Sequence, residues 1–175
     1  DANEAGCGWP AATTIEIPDT WASGYYEVVL RSTAGSWHEA VACFVVRAAE
    51  TDPTRPLLVL STNTWNAYNE WGGPNLYPGG VLHPVAASRV SFQRPFAPGI
   101  LRKPHGPGMR IAVVHPPEPT MASHVRYLLE HGMSEWAGSA GWPSWELPFV
   151  QWAEGNGIEL DYAVNADLEL VPGLL

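Results

Sequence analysis

Leu57-Leu58-Val59-Leu60 runs straight into Ser61-Thr62-Asn63-Thr64-Trp65-Asn66-Ala67-Tyr68-Asn69-Glu70-Trp71-Gly72-Gly73-Pro74-Asn75-Leu76-Tyr77. Four apolar residues in a row, without polar alternation, suit a strand buried on both faces, as in a parallel sheet. The polar, aromatic stretch behind them reads as a loop from Ser61 to Gly80. It would leave the carboxyl end of the strand, where open parallel sheets bind ligands. A second run of the same kind, Arg110-Ile111-Ala112-Val113-Val114, precedes His115-Pro116-Pro117-Glu118-Pro119. Helical spacing predicts one helix near Ala122–His131, with Ser123 as its cap, and a second over Pro148–Glu154 with Ser144 ahead of it. Phe149, Val150, Trp152 and Ala153 form the apolar side of the second helix, and Gly155-Asn156-Gly157 ends it. Leu160-Asp161-Tyr162-Ala163-Val164 reads as a further strand. Strand, loop, strand, helix, strand predicts an α/β fold with a parallel sheet and helices across it. Such sheets usually have ~5 strands, so this one is expected to be partial.

Upstream, Glu50-Thr51-Asp52-Pro53-Thr54-Arg55-Pro56 is a polar, proline-bearing stretch suited to a domain boundary. Residues 1–50 then form a β-rich segment, 51–56 a linker, and 57–175 the start of the α/β domain. Thr13-Thr14-Ile15-Glu16-Ile17 alternates, Tyr25-Tyr26-Glu27-Val28-Val29-Leu30 is rich in strand formers, and a third strand is expected from Glu39 to Arg47. Three strands cannot close a sandwich, so this segment reads as a piece of a β-sandwich-like domain whose partner strands lie elsewhere. Cys7 and Cys43 do not make a disulfide framework, and Cys43, inside Val41-Ala42-Cys43-Phe44-Val45-Val46, reads as a buried free thiol.

Of the 175 residues, 46% are apolar, and no apolar stretch reaches the length of a membrane span. Asp1 to Gly8 lacks the basic and apolar regions of a signal peptide, so a cytoplasmic location is the expectation. A formal charge of -9 repels a phosphate backbone, which argues against nucleic-acid binding. Nine tryptophans alongside seventeen prolines and seventeen glycines point to long ordered loops, because each indole has a large apolar area to bury.

The aromatic loop has two readings, lining a pocket or packing. Tyr68 reads either as a metal ligand or as a core tyrosine. Trp65 and Trp71 read as packing or pocket, and Asn69 either orients a carbonyl or caps the loop backbone. Gly72-Gly73 permits close backbone approach. Arg94 would hold a carboxylate, stabilise an oxyanion or form a structural salt bridge. His83, His105 and His115 lack the spacing of a metal motif. His124 and His131 read as surface residues, and neither a nucleophile elbow nor a phosphate-cradling loop is present.

Thr64-Trp65-Asn66-Ala67-Tyr68-Asn69-Glu70-Trp71-Gly72-Gly73, followed by Leu76-Tyr77, resembles the signature of N,N-dimethylformamidase large-subunit homologues. Gly6-Cys7-Gly8-Trp9-Pro10, Trp21-Ala22-Ser23-Gly24-Tyr25-Tyr26, Phe44-Val45-Val46-Arg47, Val90-Ser91-Phe92-Gln93-Arg94-Pro95-Phe96, and Glu146-Leu147-Pro148 through Trp152-Ala153-Glu154 resemble other blocks of that family in the same order. The resemblance implies an amidohydrolase with a glutamine-amidotransferase-like α/β domain and a mononuclear iron held by two tyrosinates and a glutamate. The iron would act on the amide carbonyl as a Lewis acid or deliver hydroxide to it. Tyr68 matches one ligand. The second tyrosine belongs to an Arg-Pro-Tyr block that here reads Arg94-Pro95-Phe96, so that ligand is either missing or supplied by Tyr77. The family's glutamate block is not found before Leu175, and Glu146 stands in a different block.

The resemblance therefore implies a catalytic set of Tyr68, Asn69 and Arg94, with Trp65, Trp71, Gly72, Gly73, Tyr77 and Phe96 around the substrate. Iron would be bound by the longer parent and not by this chain alone. Partners are then the rest of the parent polypeptide, with room for a small subunit and a homo-oligomer. The rival expectation is a non-catalytic interaction or carbohydrate-binding module, with the tryptophan-rich loop as a stacking platform.

Overall fold

The computed structural model describes residues 1–35, 38–50, 52–103 and 121–174. Its elements are α1 (Ala2–Ala5), β1 (Gly24–Arg31), β2 (Glu39–Val46), β3 (Leu57–Leu60), α2 (Thr62–Tyr68), α3 (Met121–Glu130), α4 (Glu146–Gly155), β4 (Asp161–Val164) and α5 (Asp167–Leu170). They divide into two units. Asp1–Trp9 with Thr62–Phe149 makes the first, and Pro10–Ser61 with Val150–Leu175 the second. The apolar run 110–114 and the loop after it, with His105 and His115, lie outside the described residues.

In the second unit β1 and β2 pair antiparallel, from Gly24 opposite Val46 to Arg31 opposite Glu39. Strand alternation sorts their side chains by face. Tyr26 and Phe44 stack on one face at 5.6 Å, with Trp21 stacked on Tyr26 at 4.7 Å. Tyr25, Glu27 and Cys43 share the other face, where burial pushes the Cys43 thiol up to about 11. Cys7 and Cys43 are both free thiols, and one held protonated by burial is no activated nucleophile.

The apolar run 57–60 and the strand after α4 pair in parallel, Leu57 opposite Asp161 through Leu60 opposite Val164. Leu60, Val150, Ala153, Leu160 and Ala163 are buried. The Ser23 hydroxyl donates to the Val46 carbonyl at 3.0 Å and accepts the Tyr162 N–H at 2.8 Å, so one side chain ties the hairpin to the parallel pair. Asp167 accepts the Val164 N–H at 2.8 Å and holds the Arg47 guanidinium at 2.9 Å.

Four expectations need correcting. Thr13–Ile17 is not a strand: Ile15 and Ile17 are 46% and 42% exposed, and no described strand pairs with the segment. Alternation alone does not form a strand when the backbone N–H and C=O groups lack a neighbour to bond. The stretch behind β3 is not all loop, since Thr62–Tyr68 within it form α2. On α4, only Val150 and Ala153 of the four expected residues are buried, whereas Phe149 is 44% and Trp152 56% exposed. Nor does Ser144 cap this helix; its hydroxyl donates back to the Ala137 carbonyl at 2.9 Å.

The first unit packs α3 and the turns around it. Tyr127, Leu128, Met133 and Ala137 form one buried cluster. Gly141, at φ 106°, lies so close to Ile100 that a Cβ there would meet its carbonyl oxygen at 2.1 Å. Among the described residues, no helix is long and apolar enough to cross a membrane.

Candidate functional site

Helix α2 contains neither glycine nor proline, and its last residue is Tyr68. Trp65 is 1% exposed, and its indole N–H donates to Glu146 Oε1 at 2.9 Å. The Phe96 ring meets Trp65 edge-on at 6.4 Å. Both aromatics thus pack within the first unit, and Trp65 offers no open face for stacking a ligand.

The chain turns sharply after Tyr68, and polar side chains hold the turn. Asn69 is 1% exposed. It donates to the Pro95 carbonyl at 2.9 Å and accepts the N–H groups of Trp71 at 3.1 Å and Ala97 at 2.9 Å. Arg94 is 8% exposed and donates to the carbonyls of Ser91, Trp71, Asn66 and Asn69 at 2.9, 2.6, 3.3 and 2.9 Å. Three of those carbonyls belong to the C-terminal end of α2 or the residues just after it, where a cation is favourable.

Gly72 and Gly73 have φ of 79° and 147°, and a Cβ on them would meet Ala2 Cβ at 3.1 Å and Asn3 Oδ1 at 2.6 Å. The close approach these glycines permit is therefore that of the N-terminal segment, which Asn3 also ties to the Pro74 carbonyl at 2.8 Å. Trp71 packs edge-on against Trp9, with centroids 6.0 Å apart.

What remains of the expected set is brought together on one spot. The Tyr68 and Tyr77 rings stack with centroids 4.0 Å apart and planes 10° from parallel, and Trp136 leans on both at 5.5 and 6.0 Å. Both tyrosines are partly exposed. Burial first, and then the Tyr77 hydroxyl beside it, raise the Tyr68 phenol above its ordinary value. Without a cation the Tyr68 phenol is protonated at neutral pH.

Three residues of this site escaped the sequence reading. Asn75, 2% exposed, links the backbones of the two tyrosines. Trp136 completes the aromatic cluster from 68 positions beyond Tyr68, too far for any local pattern to reveal. Glu70, 7% exposed, accepts the Glu135 N–H at 3.1 Å, one residue before Trp136. The only signal for Glu70 was its place inside the motif.

Burial is the main cause that raises the Glu70 carboxyl above the ordinary carboxylate range, against the Ser134 hydroxyl, which favours the charged form. A carboxyl with a raised folded pKa binds more protons folded than unfolded, so stability falls as pH rises from its unfolded value, ~4.3, through the folded one. Glu70→Gln keeps an acceptor for the Glu135 N–H and removes the charge. Its stability relative to wild type, measured by urea unfolding from pH 4 to pH 8 (about the working range of the linkage), is expected to rise with pH. A difference that does not change with pH would sink this account.

The donor set can be tested against a metal. The phenol oxygens of Tyr68 and Tyr77, once deprotonated, are hard anionic ligands of the kind that hard cations prefer. Phe96 has no donor atom. The buried carboxylates of this unit are bonded elsewhere: Glu70 to the Glu135 N–H, Glu135 to the N–H groups of Val81 and Leu82 at 2.7 and 3.0 Å, and Glu146 to Trp65. Among the described residues, no three His, Cys, Asp or Glu side chains are grouped to hold a metal. The stacked pair supplies two phenol oxygens of the kind a tyrosinate site would use.

Neither the curated proteins nor the solved structures compared with the chain include a match. One family model, described as N,N-dimethylformamidase beta subunit-like, C-terminal, matches residues 1–175. It spans both units and the whole Tyr68–Tyr77 motif, in keeping with the resemblance carried by the tryptophan-rich segment. The chain belongs to the N,N-dimethylformamidase beta subunit-like family, in the C-terminal region that this description names.

Proposed function

We propose that this region forms part of an amide hydrolase in which the phenol oxygens of Tyr68 and Tyr77 are two ligands of a mononuclear iron. The observation that carries the reading is the stacked tyrosine pair inside the family motif. Family membership supports it. The same reading assigns the β3–β4 pair to a partial parallel sheet of glutamine-amidotransferase-like type, and the β1–β2 hairpin to a sandwich-like segment. The family description is that of a subunit, which supports polypeptide partners.

Bound iron would supply Lewis acidity toward the carbonyl oxygen of a small amide. The rest falls to side chains. Tyr68 and Tyr77 release the protons on their Oη atoms as the cation enters, so loading is expected to strengthen with rising pH. Asn69 and Arg94 hold the backbone that carries Tyr68. Half-buried Trp136 gives the pair an apolar wall, which limits water beside it.

The test is the metal content of the whole subunit, of this 175-residue region alone, and of Tyr68→Phe and Tyr77→Phe in the whole subunit. The whole subunit is expected to hold tight iron with a visible tyrosinate charge-transfer band. Each substitution should cut the iron content at least ~10-fold and weaken the band. Full iron in both single variants, or tight stoichiometric iron in the isolated region, would overturn the proposal.

A further inference from the structure

Asn75 is 2% exposed, and its carboxamide works in two directions. Its Nδ2 donates to the Tyr68 carbonyl at 2.9 Å, and its Oδ1 accepts the Tyr77 N–H at 2.8 Å. A second bond runs alongside, from the Leu76 N–H to the Ala67 carbonyl at 3.0 Å. The segment between the two tyrosines therefore doubles back on itself. A planar amide with a donor at one end and an acceptor at the other fixes the distance between the two backbone groups it joins. Aspartate offers only acceptors and would face the Tyr68 carbonyl with an oxygen. Leucine, of similar size, would leave a part-buried N–H and a part-buried carbonyl unmatched.

We infer that Asn75 is the positioning residue that brings the Tyr68 and Tyr77 rings together. The inference rests on reading that pair as the site. The two rings leave opposite ends of a nine-residue step, yet meet at 4.0 Å and nearly parallel. Ring attraction alone does not select this arrangement, because aromatic pairs also take edge-on and offset geometries over a range of ~4.5–7 Å. The Asn75 bridge removes that freedom at the backbone, before the rings meet. Trp136 then closes on a pair already set. Asn75 touches neither a substrate nor a metal in this account; it acts through the two tyrosines.

The experiment uses the whole subunit, metal-free, with tyrosine labelled at the ring carbon that bears the hydroxyl. The Tyr68 and Tyr77 signals are assigned by loss in Tyr68→Phe and Tyr77→Phe, and their ring-current shifts are read by NMR. In the wild type each ring is expected to shift the other's signals, since the two stack at 4.0 Å. In Asn75→Ala Tyr68 and Tyr77 should lose these mutual ring-current shifts. Ferric iron should bind about 10-fold more weakly, as expected when a group that orients ligands is lost.

Asn75→Asp keeps the acceptor for the Tyr77 N–H and should weaken the mutual ring-current shifts in the same way. It carries the test if the alanine variant does not fold. Ser144→Ala is the control, since it removes another buried polar group of the same unit, the hydroxyl bonded to the Ala137 carbonyl. It should lower stability and leave the ring-current shifts in place. If those shifts persist in both Asn75 variants, or if Ser144→Ala removes them equally, the inference is overturned. Full iron retained by both Tyr68→Phe and Tyr77→Phe overturns the ligand reading instead, whatever the Asn75 variants do.

Discussion

Arg94→Ala is expected to lower the unfolding free energy by about 3 kcal/mol or more, because a hydrogen bond from a charged donor is worth ~1.5–3 kcal/mol and this side chain makes several. The guanidinium is 8% exposed, and burial pulls its pKa down. It remains charged at any working pH, since an arginine starts near ~12.5 or above. A buried cation needs compensation, and among the described residues Arg94 has no ion pair. Carbonyl dipoles provide it instead, those of Ser91, Trp71, Asn66 and Asn69, together with the Asn66 side-chain oxygen at 3.3 Å. Alanine would strand all of these acceptors, and the turn that follows Tyr68 would open. Lysine has one ammonium where arginine has a planar fork, so Arg94→Lys should recover only part of the loss. Urea unfolding of the three proteins gives the comparison. A variant as stable as wild type to within ~0.5 kcal/mol, but with weaker amide binding, would hand Arg94 the ligand-facing role.

How much of this could be read in advance depends on the range of the interaction responsible. β1, β2, β3 and β4 were legible because their signal is local: β-formers bounded by turns, or a short apolar run. The parallel pairing of β3 with β4 followed from the helical connectors between them. Thr13–Ile17 carries the same alternation and is no strand, because what makes a strand is a partner and the pattern cannot say whether one exists. Helix α2 was hidden for the opposite reason. Asparagines, aromatics and a Gly-Gly pair nearby all favour a loop locally, while the group that satisfies its C-terminal carbonyls is Arg94, 26 residues after Tyr68.

The site divides in the same way. Tyr68 and Tyr77 stand in one motif and could be named together. Their contact depends on Asn75, whose role is invisible until the chain doubles back. Gly72 and Gly73 were rightly marked as points of close approach, but only the structure shows that Ala2 and Asn3 approach them. Sequence identifies a permissive backbone; the fold decides what uses it.

Trp65→Ala is the other substitution expected to do the most damage, at about 3–5 kcal/mol, the usual range for truncating a large buried aromatic. Two terms add. The indole is 1% exposed, so its removal leaves a cavity beside Phe96 that the surrounding side chains can only partly fill. The Glu146 carboxylate, 8% exposed, also loses the N–H that Trp65 directs at it. Trp65→Phe separates these terms. It restores most of the volume and none of the donor, so it should cost roughly 1–3 kcal/mol, the price of a buried acceptor left without its partner. Thermal or urea unfolding of both variants measures the split. A ligand-lining tryptophan would behave otherwise: its truncation would relieve no packing constraint, stability would hold, and the loss would appear in amide binding. Because Tyr68 follows Trp65 by less than one turn of the same helix, a loosened Trp65 should also disturb the tyrosine pair. Weakened iron binding in Trp65→Ala is therefore expected to track lost stability, and Trp65→Phe should recover most of it.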